Sequence, residues 1–221
     1  MTRLRSWAGP AVTSPPVRRS CRVTSLLIAT GNPGKLREIL TILDGLPIEL
    51  KTLADFPGAR VADETGATFA ENARAKARHY AALSGLPTVA EDSGFEVDAL
   101  EGAPGVHSAR FLGPGATFPQ RFEEIYSAVR RRGRVESAVR LVCTLALASG
   151  GAILFEARGV VEGMLAKRPA GLDGFGYDPI FFYPPCGRTL GELSAAEKSA
   201  ISHRGQAFRA LREFLAERSQ R

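Results

Sequence analysis

The chain has 221 residues, 44% hydrophobic and 24% charged, with 29 Lys plus Arg against 23 Asp plus Glu and a formal charge of +6. That length supports one large domain with its own core, and no apolar run approaches the ~18 residues of a membrane span. The basic balance invites a nucleic-acid partner, yet five arginines (Arg3, Arg5, Arg18, Arg19, Arg22) and no acid fall in residues 1–22, so residues 23–221 are nearly neutral and that invitation lapses.

Residues 1–22, rich in Pro, Ser and Arg and without periodicity, read as a disordered basic tail ahead of a single α/β domain at 23–221. Leu26–Ala29 is a short apolar run that suits a buried strand. Thr30-Gly31-Asn32-Pro33-Gly34-Lys35 follows as a turn, with Asn32 a good N-cap and Pro33 suited to the first helical position. Leu36, Ile39, Leu40 and Leu43 then recur at helical spacing up to Asp44-Gly45. A second strand is expected from Ile48 to Leu53 and an acidic, Gly-rich loop over 55–67. Thr68 and Glu71 have capping-box spacing and open an Ala-rich helix through Leu83, stopped by Gly85 and Pro87. Thr88–Ala90 is expected as a short strand that delivers Glu91-Asp92-Ser93-Gly94 at its C-terminal end, before a long loop at 94–118 and a helix at roughly 119–131.

From 137 to 166 the pattern is antiparallel strand. Val139, Leu141, Cys143, Leu145 and Leu147 alternate, Gly150-Gly151 turns, and Ala152–Ala157 returns, followed by a further strand at roughly 158–165. A Gly-rich loop occupies 167–178, a short strand Pro179–Tyr183, and Ser202 caps a last helix bearing Ala207, Phe208, Leu211, Phe214 and Leu215. Strands and helices mixed without a linker argue for one α/β unit with two lobes.

Cys21, Cys143 and Cys186 show no CxxC spacing, and His79, His107 and His203 match no HExxH pattern. A disulfide framework and a Cys- or His-based metal site are therefore disfavoured, and a reducing compartment is expected. Four other constellations carry chemistry. Thr30–Lys35 is a strand–glycine loop–helix start, which reads either as a capped helix or as a phosphate cradle, and it is no Walker loop. Asp63 or Glu64, with Glu91 and Asp92, supplies carboxylates from two segments, the donor type that a hard cation such as Mg²⁺ takes. Phe175-Gly176-Tyr177-Asp178 offers two aromatics to clasp a flat ring and a carboxylate for its edge. Lys198, His203 and Arg204 could complete a polyphosphate site, Arg as a forked donor.

ATGNPGK at 29–35, ETGATFAENARAKA at 64–77, EDSG at 91–94, GAPGVHSARF at 102–111, GFGYDPIF at 174–181 and EKSAISHRGQA at 197–207 together resemble the inosine triphosphate pyrophosphatase family, closest to its bacterial XTP/dITP diphosphatases. The likeness runs from about Leu26 to Leu215. It implies an elongated mixed β-sheet flanked by helices, with two lobes and an active-site cleft between them. It implies Mg²⁺-dependent cleavage of ITP, dITP and XTP to monophosphate and pyrophosphate, usually by a cytoplasmic homodimer, with neither nucleic acid nor membrane as partner. Position by position, Thr30, Gly31, Asn32, Pro33, Gly34 and Lys35 would hold the triphosphate. Asp92 would accept the proton and, with Glu64, hold the metal, and Ser93 would touch the substrate. Phe175, Gly176, Tyr177 and Asp178 would grip the base, and Lys198, His203 and Arg204 would complete the contacts. Glu91 stands where many bacterial relatives have Asp.

Overall fold

A computed structural model of the chain describes residues 23–219. The basic tail expected at 1–22 lies outside the described residues. Seven strands form one mixed sheet: β1 (Ser25–Ile28), β2 (Glu49–Thr52), β3 (Thr88–Val97), β4 (Ala138–Ser149), β5 (Ala152–Leu165), β6 (Phe181–Tyr183) and β7 (Arg188–Thr189). Their order is β2-β1-β3-β4-β5-β6-β7, with β1 parallel to both neighbours and every later pairing antiparallel. Five helices accompany them: α1 (Pro33–Leu43), α2 (Phe69–Ser84), α3 (Phe118–Arg131), α4 (Ala195–Ile201) and α5 (His203–Ser219).

Alternation along β3 sets the layers, because successive side chains point to opposite faces. Val89 packs with α1 and α5 residues such as Ile39, Leu43, Phe208 and Leu211. Its neighbour Ala90 packs with Ala73, Ala77 and Tyr80 of α2 on the other face. Farther along the first face, Phe95 and Val97 join Phe122, Ile125 and Val129 of α3 in a separate core. The positions between those two cores are Glu91 and Ser93. The lobes are thus two apolar cores on one sheet, and the cleft is the polar band that divides them.

The start and stop signals hold. Asn32 caps α1, accepting from the Gly34 and Lys35 amides, Thr68 and Glu71 form the capping box of α2, and Gly85 ends it in the left-handed conformation. Ser202 Oγ accepts from the Gly205 amide at the start of α5. Several boundaries are corrected. β3 does not stop at Ala90; it runs on to Val97, so Glu91–Gly94 sits in mid-strand and the following loop is shorter than expected. Four consecutive polar or small residues had broken the apolar pattern there. The return strand and the further strand after Gly150-Gly151 are one, β5. Gly159 and Gly163 on it each admit another segment: a Cβ at Gly159 would strike the His203 carbonyl, and one at Gly163 the Phe182 carbonyl. Gly159→Ala is therefore expected to lower stability by about 1–3 kcal/mol through overpacking, measured by urea unfolding. An unchanged midpoint would show that α5 yields freely. The short strand begins at Phe181 rather than Pro179, since Asp178–Ile180 is a 3-10 turn. The helix α4, opened by a Ser194–Glu197 capping box, and the two-residue β7 were not anticipated.

Candidate active site

β1 ends at Ile28, and its pairing with β3 covers only Thr88 and Val89. Beyond that point β1 no longer flanks β3, and the 103–108 segment takes up the same edge farther along, where the Phe95 amide donates to Ser108 Oγ and the Val97 amide to the Ala103 carbonyl. The two helices that diverge there, α1 and α2, lie on opposite faces. Crevices of this kind, outside the carboxyl ends of parallel strands, are where open α/β sheets bind ligands.

On the α1/α5 face the centre is Glu91. Its Oε1 receives Arg204 Nε at 3.2 Å and Nη2 at 3.1 Å and lies 3.1 Å from Lys35 Nζ, while the Cys143 thiol donates to Oε2 at 3.3 Å. Arg204 also donates to Glu38 at 2.7 Å and to Ser93 Oγ at 3.1 Å. Lys198 bridges Glu38 at 2.8 Å and Asp178 at 2.5 Å. Three cations and three carboxylates therefore interleave in a nearly dry band. Burial works against charge on Glu91, and Arg204 and Lys35 outweigh it, holding its carboxyl well below the usual range. For Asp178 burial is the stronger influence and pushes its carboxyl up against the pull of Lys198. His203 adjoins this band; it is 4% exposed, and its Nδ1 has no hydrogen-bond partner among the described residues. Burial, helped by the Arg204 charge, holds its imidazole well below the ordinary value, hence neutral.

On the α2 face Asp92 accepts a hydrogen bond from Asn72 Nδ2 at 2.9 Å, and Lys76 Nζ lies 3.5 Å from its Oδ1. The same ammonium is 2.8 Å from Glu64 Oε1, and Arg110 reaches Glu64 Oε2 at 3.3 Å. Burial raises Asp92, only partly opposed by Lys76 and Asn72. Glu64 is pushed up by burial too, but Lys76, Lys35 and Arg110 together bring it below its usual value. Asp63, the alternative carboxylate, is exposed. Lys35 joins the two faces, since it pairs with Glu91 and its charge acts on both Glu64 and Asp92. Glu64 and Asp92 fit a divalent cation: their oxygens already converge on one positive charge, and two carboxylates leave room for the water and phosphate oxygens that Mg²⁺ prefers.

The two loops divide the remaining expected residues. In the first, Thr30 Oγ1 accepts from the Asn32 amide, and Asn32 takes up the Gly34 and Lys35 amides, so the capped-helix reading accounts for those donors while the Lys35 side chain enters the cleft. Gly31 and Pro33 are exposed on the same turn. Gly34 permits close approach: a Cβ there would meet the Phe175 ring at 2.7 Å. In the second loop the aromatics part. Phe175 lies under Lys198 and Arg204, 4.4 and 5.5 Å from its ring centre. Tyr177 is buried in the α3 core, stacked on Phe95 at 4.9 Å, with its hydroxyl donating to the Ser108 carbonyl at 2.9 Å. Gly176, at φ 69°, makes the turn between them. Asp178 ties the loop by accepting from the Phe175 amide.

Sequence reasoning passed over Glu38, Asn72, Lys76 and Arg110. A signal existed for two of them: Asn72 and Lys76 are four apart on α2, hence on one helix face. Glu38 and Arg110 reach the site only through the fold.

A family model described as the Ham1 family matches residues 26–214. A dITP/XTP pyrophosphatase from Exiguobacterium is 46% identical over 189 residues, covering 84% of this chain and 94% of its own. One from Geobacter sulfurreducens is 44% identical, covering 87% and 97%. Among solved structures, a HAM1 protein from Coxiella burnetii superposes with a TM-score of 0.82 at 40% identity, covering 88% of this chain and all of that one.

Proposed function

This chain belongs to the Ham1 family, and from that premise we propose that it hydrolyses non-standard purine nucleoside triphosphates (ITP, dITP and XTP) to the monophosphate and pyrophosphate, clearing deaminated purines from the cytoplasmic nucleotide pool. The observation that carries the reading is the pair of carboxylates, Glu64 and Asp92, converging on one cation beside a cleft lined by Lys35, Lys198 and Arg204. Glu64 and Asp92 would hold Mg²⁺, which supplies charge neutralisation to the triphosphate when bound. Asp92, raised by burial, accepts the proton of the water that attacks the α-phosphorus. Lys35 and Lys198 offset the charge that develops on departing pyrophosphate. Thr30–Lys35 and Ser93 position the phosphates, and the Phe175–Asp178 loop holds the base through the Phe175 ring, with Tyr177 anchoring the loop in the α3 core and Asp178 tying it to Lys198. A homodimer is expected as the active species, with light scattering as the measurement that checks it. Among the described residues no helix is long and apolar enough to cross a membrane.

The direct test is pyrophosphate release from a panel of nucleotides with and without Mg²⁺. ITP, dITP and XTP are expected to be cleaved far faster than ATP. Equal rates on ATP, or release only from modified pyrimidine triphosphates, would overturn the proposal.

Base choice is assigned to His203. His203 lines the cleft beside Arg204 and is neutral, so its ring has one N–H to offer, and a purine O6 answers an N–H donor where the adenine amino group does not. His203→Ala is expected to lower kcat/KM for ITP by about tenfold to a hundredfold and to leave the slow ATP reaction nearly unchanged. Because the imidazole is neutral throughout, it adds no limb to the pH profile near 6.5. Equal losses on both substrates would remove His203 from base selection.

A further inference from the structure

Lys76 occupies an unusual position for a lysine. It is 9% exposed, and its ammonium lies between the oxygens of Glu64 and Asp92, at 2.8 and 3.5 Å. Those are the two carboxylates assigned above to the metal. Arg110 adds a second cation to Glu64, through Oε2 at 3.3 Å and the backbone carbonyl at 3.0 Å. Two carboxylates are thus offset by two cations, and the pair presents no net charge to a free metal ion. A divalent cation reaching these oxygens would have to share them with an ammonium already in hydrogen-bond contact, a repulsion that a half-dry cleft screens poorly.

We propose that Lys76 is an internal counter-ion that keeps the Glu64–Asp92 pair closed to free divalent metal until a triphosphate draws its ammonium away. The inference rests on the metal and triphosphate reading given above. The triphosphate brings several oxyanions to the Lys35 side of the cleft. Lys76, on a flexible four-carbon stem, then has an alternative partner, and both carboxylates become available to the metal that accompanies the nucleotide. Metal and triphosphate binding are therefore reciprocal, each removing an obstacle to the other. The free protein, meanwhile, does not leave the buried Asp92 and the half-buried Glu64 unpaired, which would be costly.

The test uses Mn²⁺ or Mg²⁺ alone, without nucleotide, on the full-length chain. Titration calorimetry is expected to give weak Mn²⁺ binding to the wild type and binding at least about tenfold tighter to Lys76→Met. Lys76→Arg, which keeps the charge, should bind as weakly as the wild type. Thermal melts provide a second readout: Lys76→Met should melt lower than wild type in chelator and regain stability when Mg²⁺ is added, whereas Mg²⁺ leaves the wild-type melt unchanged. Should Lys76→Met fold poorly, Lys76→Gln, which retains a hydrogen bond to Glu64 but no charge, takes its place with the same expectation. Equal metal affinity in the wild type and the uncharged variants would overturn the proposal even if ITP were hydrolysed normally. Metal-independent destabilisation would do the same, by reducing Lys76 to a structural ion pair. Loss of ITP hydrolysis in the wild type would instead strike the functional reading, leaving the metal titration to be judged separately.

Discussion

Asp92→Asn is expected to lower kcat for ITP by about 10²–10⁴-fold, the contribution usual for a positioned general base, while nucleotide binding persists. The asparagine keeps the shape of Asp92, and with a flipped amide it can still meet Asn72, which donates to the native carboxylate at 2.9 Å. What it loses is the capacity to take a proton and the charge with which Asp92, beside Glu64, would hold Mg²⁺, so the comparison is made at saturating Mg²⁺. The loss should therefore fall on kcat, with KM changed much less. Single-turnover pyrophosphate release and calorimetric titration with inosine monophosphate would separate the two. Near-normal turnover in the variant would remove Asp92 from the base role.

The pH dependence has a definite sign. Burial raises the Asp92 carboxyl, so on acidification the base is protonated before an ordinary carboxylate, with its value of about 3.9, would be. Wild-type activity should fall on the acid side along a limb that begins above that value, and the residual activity of Asp92→Asn should lack this limb. Glu64 shifts the opposite way, held below its own ordinary value by Lys76, Lys35 and Arg110 against the push of burial, and the loss of the limb in Asp92→Asn is what separates the two carboxylates.

How much of this was legible in the sequence depended on how local each signal was. Asn32 before Pro33, Thr68 before Glu71 and Gly85 after the Ala-rich run are short-range rules of helix capping, and each acts where it was expected. The residues that proved hard were those whose partners are distant in sequence. Glu91, Asp92, Ser93 and Gly94 interrupt an apolar alternation because they belong to the cleft. The strand continues through them because β4 pairs every residue from Thr88 to Val97. Gly94 itself admits the 105–110 segment, where a Cβ would collide with the Gly105 carbonyl and come within 2.7 Å of Ser108 Oγ. A single sequence lists Glu38 and Arg204 as charges 166 positions apart, and only the packing of α1 against α5 brings them to 2.7 Å. Residues of all six ordered motifs meet around the cleft; the pairing inside it was tertiary information.

Glu91→Gln is expected to be the most destabilising of these changes, by about 3–5 kcal/mol, because it leaves buried cations without their counter-charge. In a domain of this size that corresponds to a melting point lower by roughly 6–20 °C. Glutamine preserves the volume but removes the charge that Lys35 and Arg204 share at 3.1 Å. Arg204 retains Glu38, whereas Lys35 has no other ion pair among the described residues. The folded-state Glu91 carboxyl is held well below its unfolded value, so its contribution is fully present above about pH 4.3 and is lost as pH falls through the folded value. The stability gap between wild type and Glu91→Gln should accordingly be full at pH 7 and shrink in acid. Glu91→Asp, which keeps the charge on a stem one methylene shorter, should fall between them. The unpaired cations also make a signature that simple loss of packing would not: inorganic tripolyphosphate should raise the melting point of Glu91→Gln more than that of the wild type, since the anion restores a charge the variant lacks. Equal stability of the two proteins at pH 7, or equal stabilisation by the anion, would show that Glu91 does not hold the cations of the cleft in place.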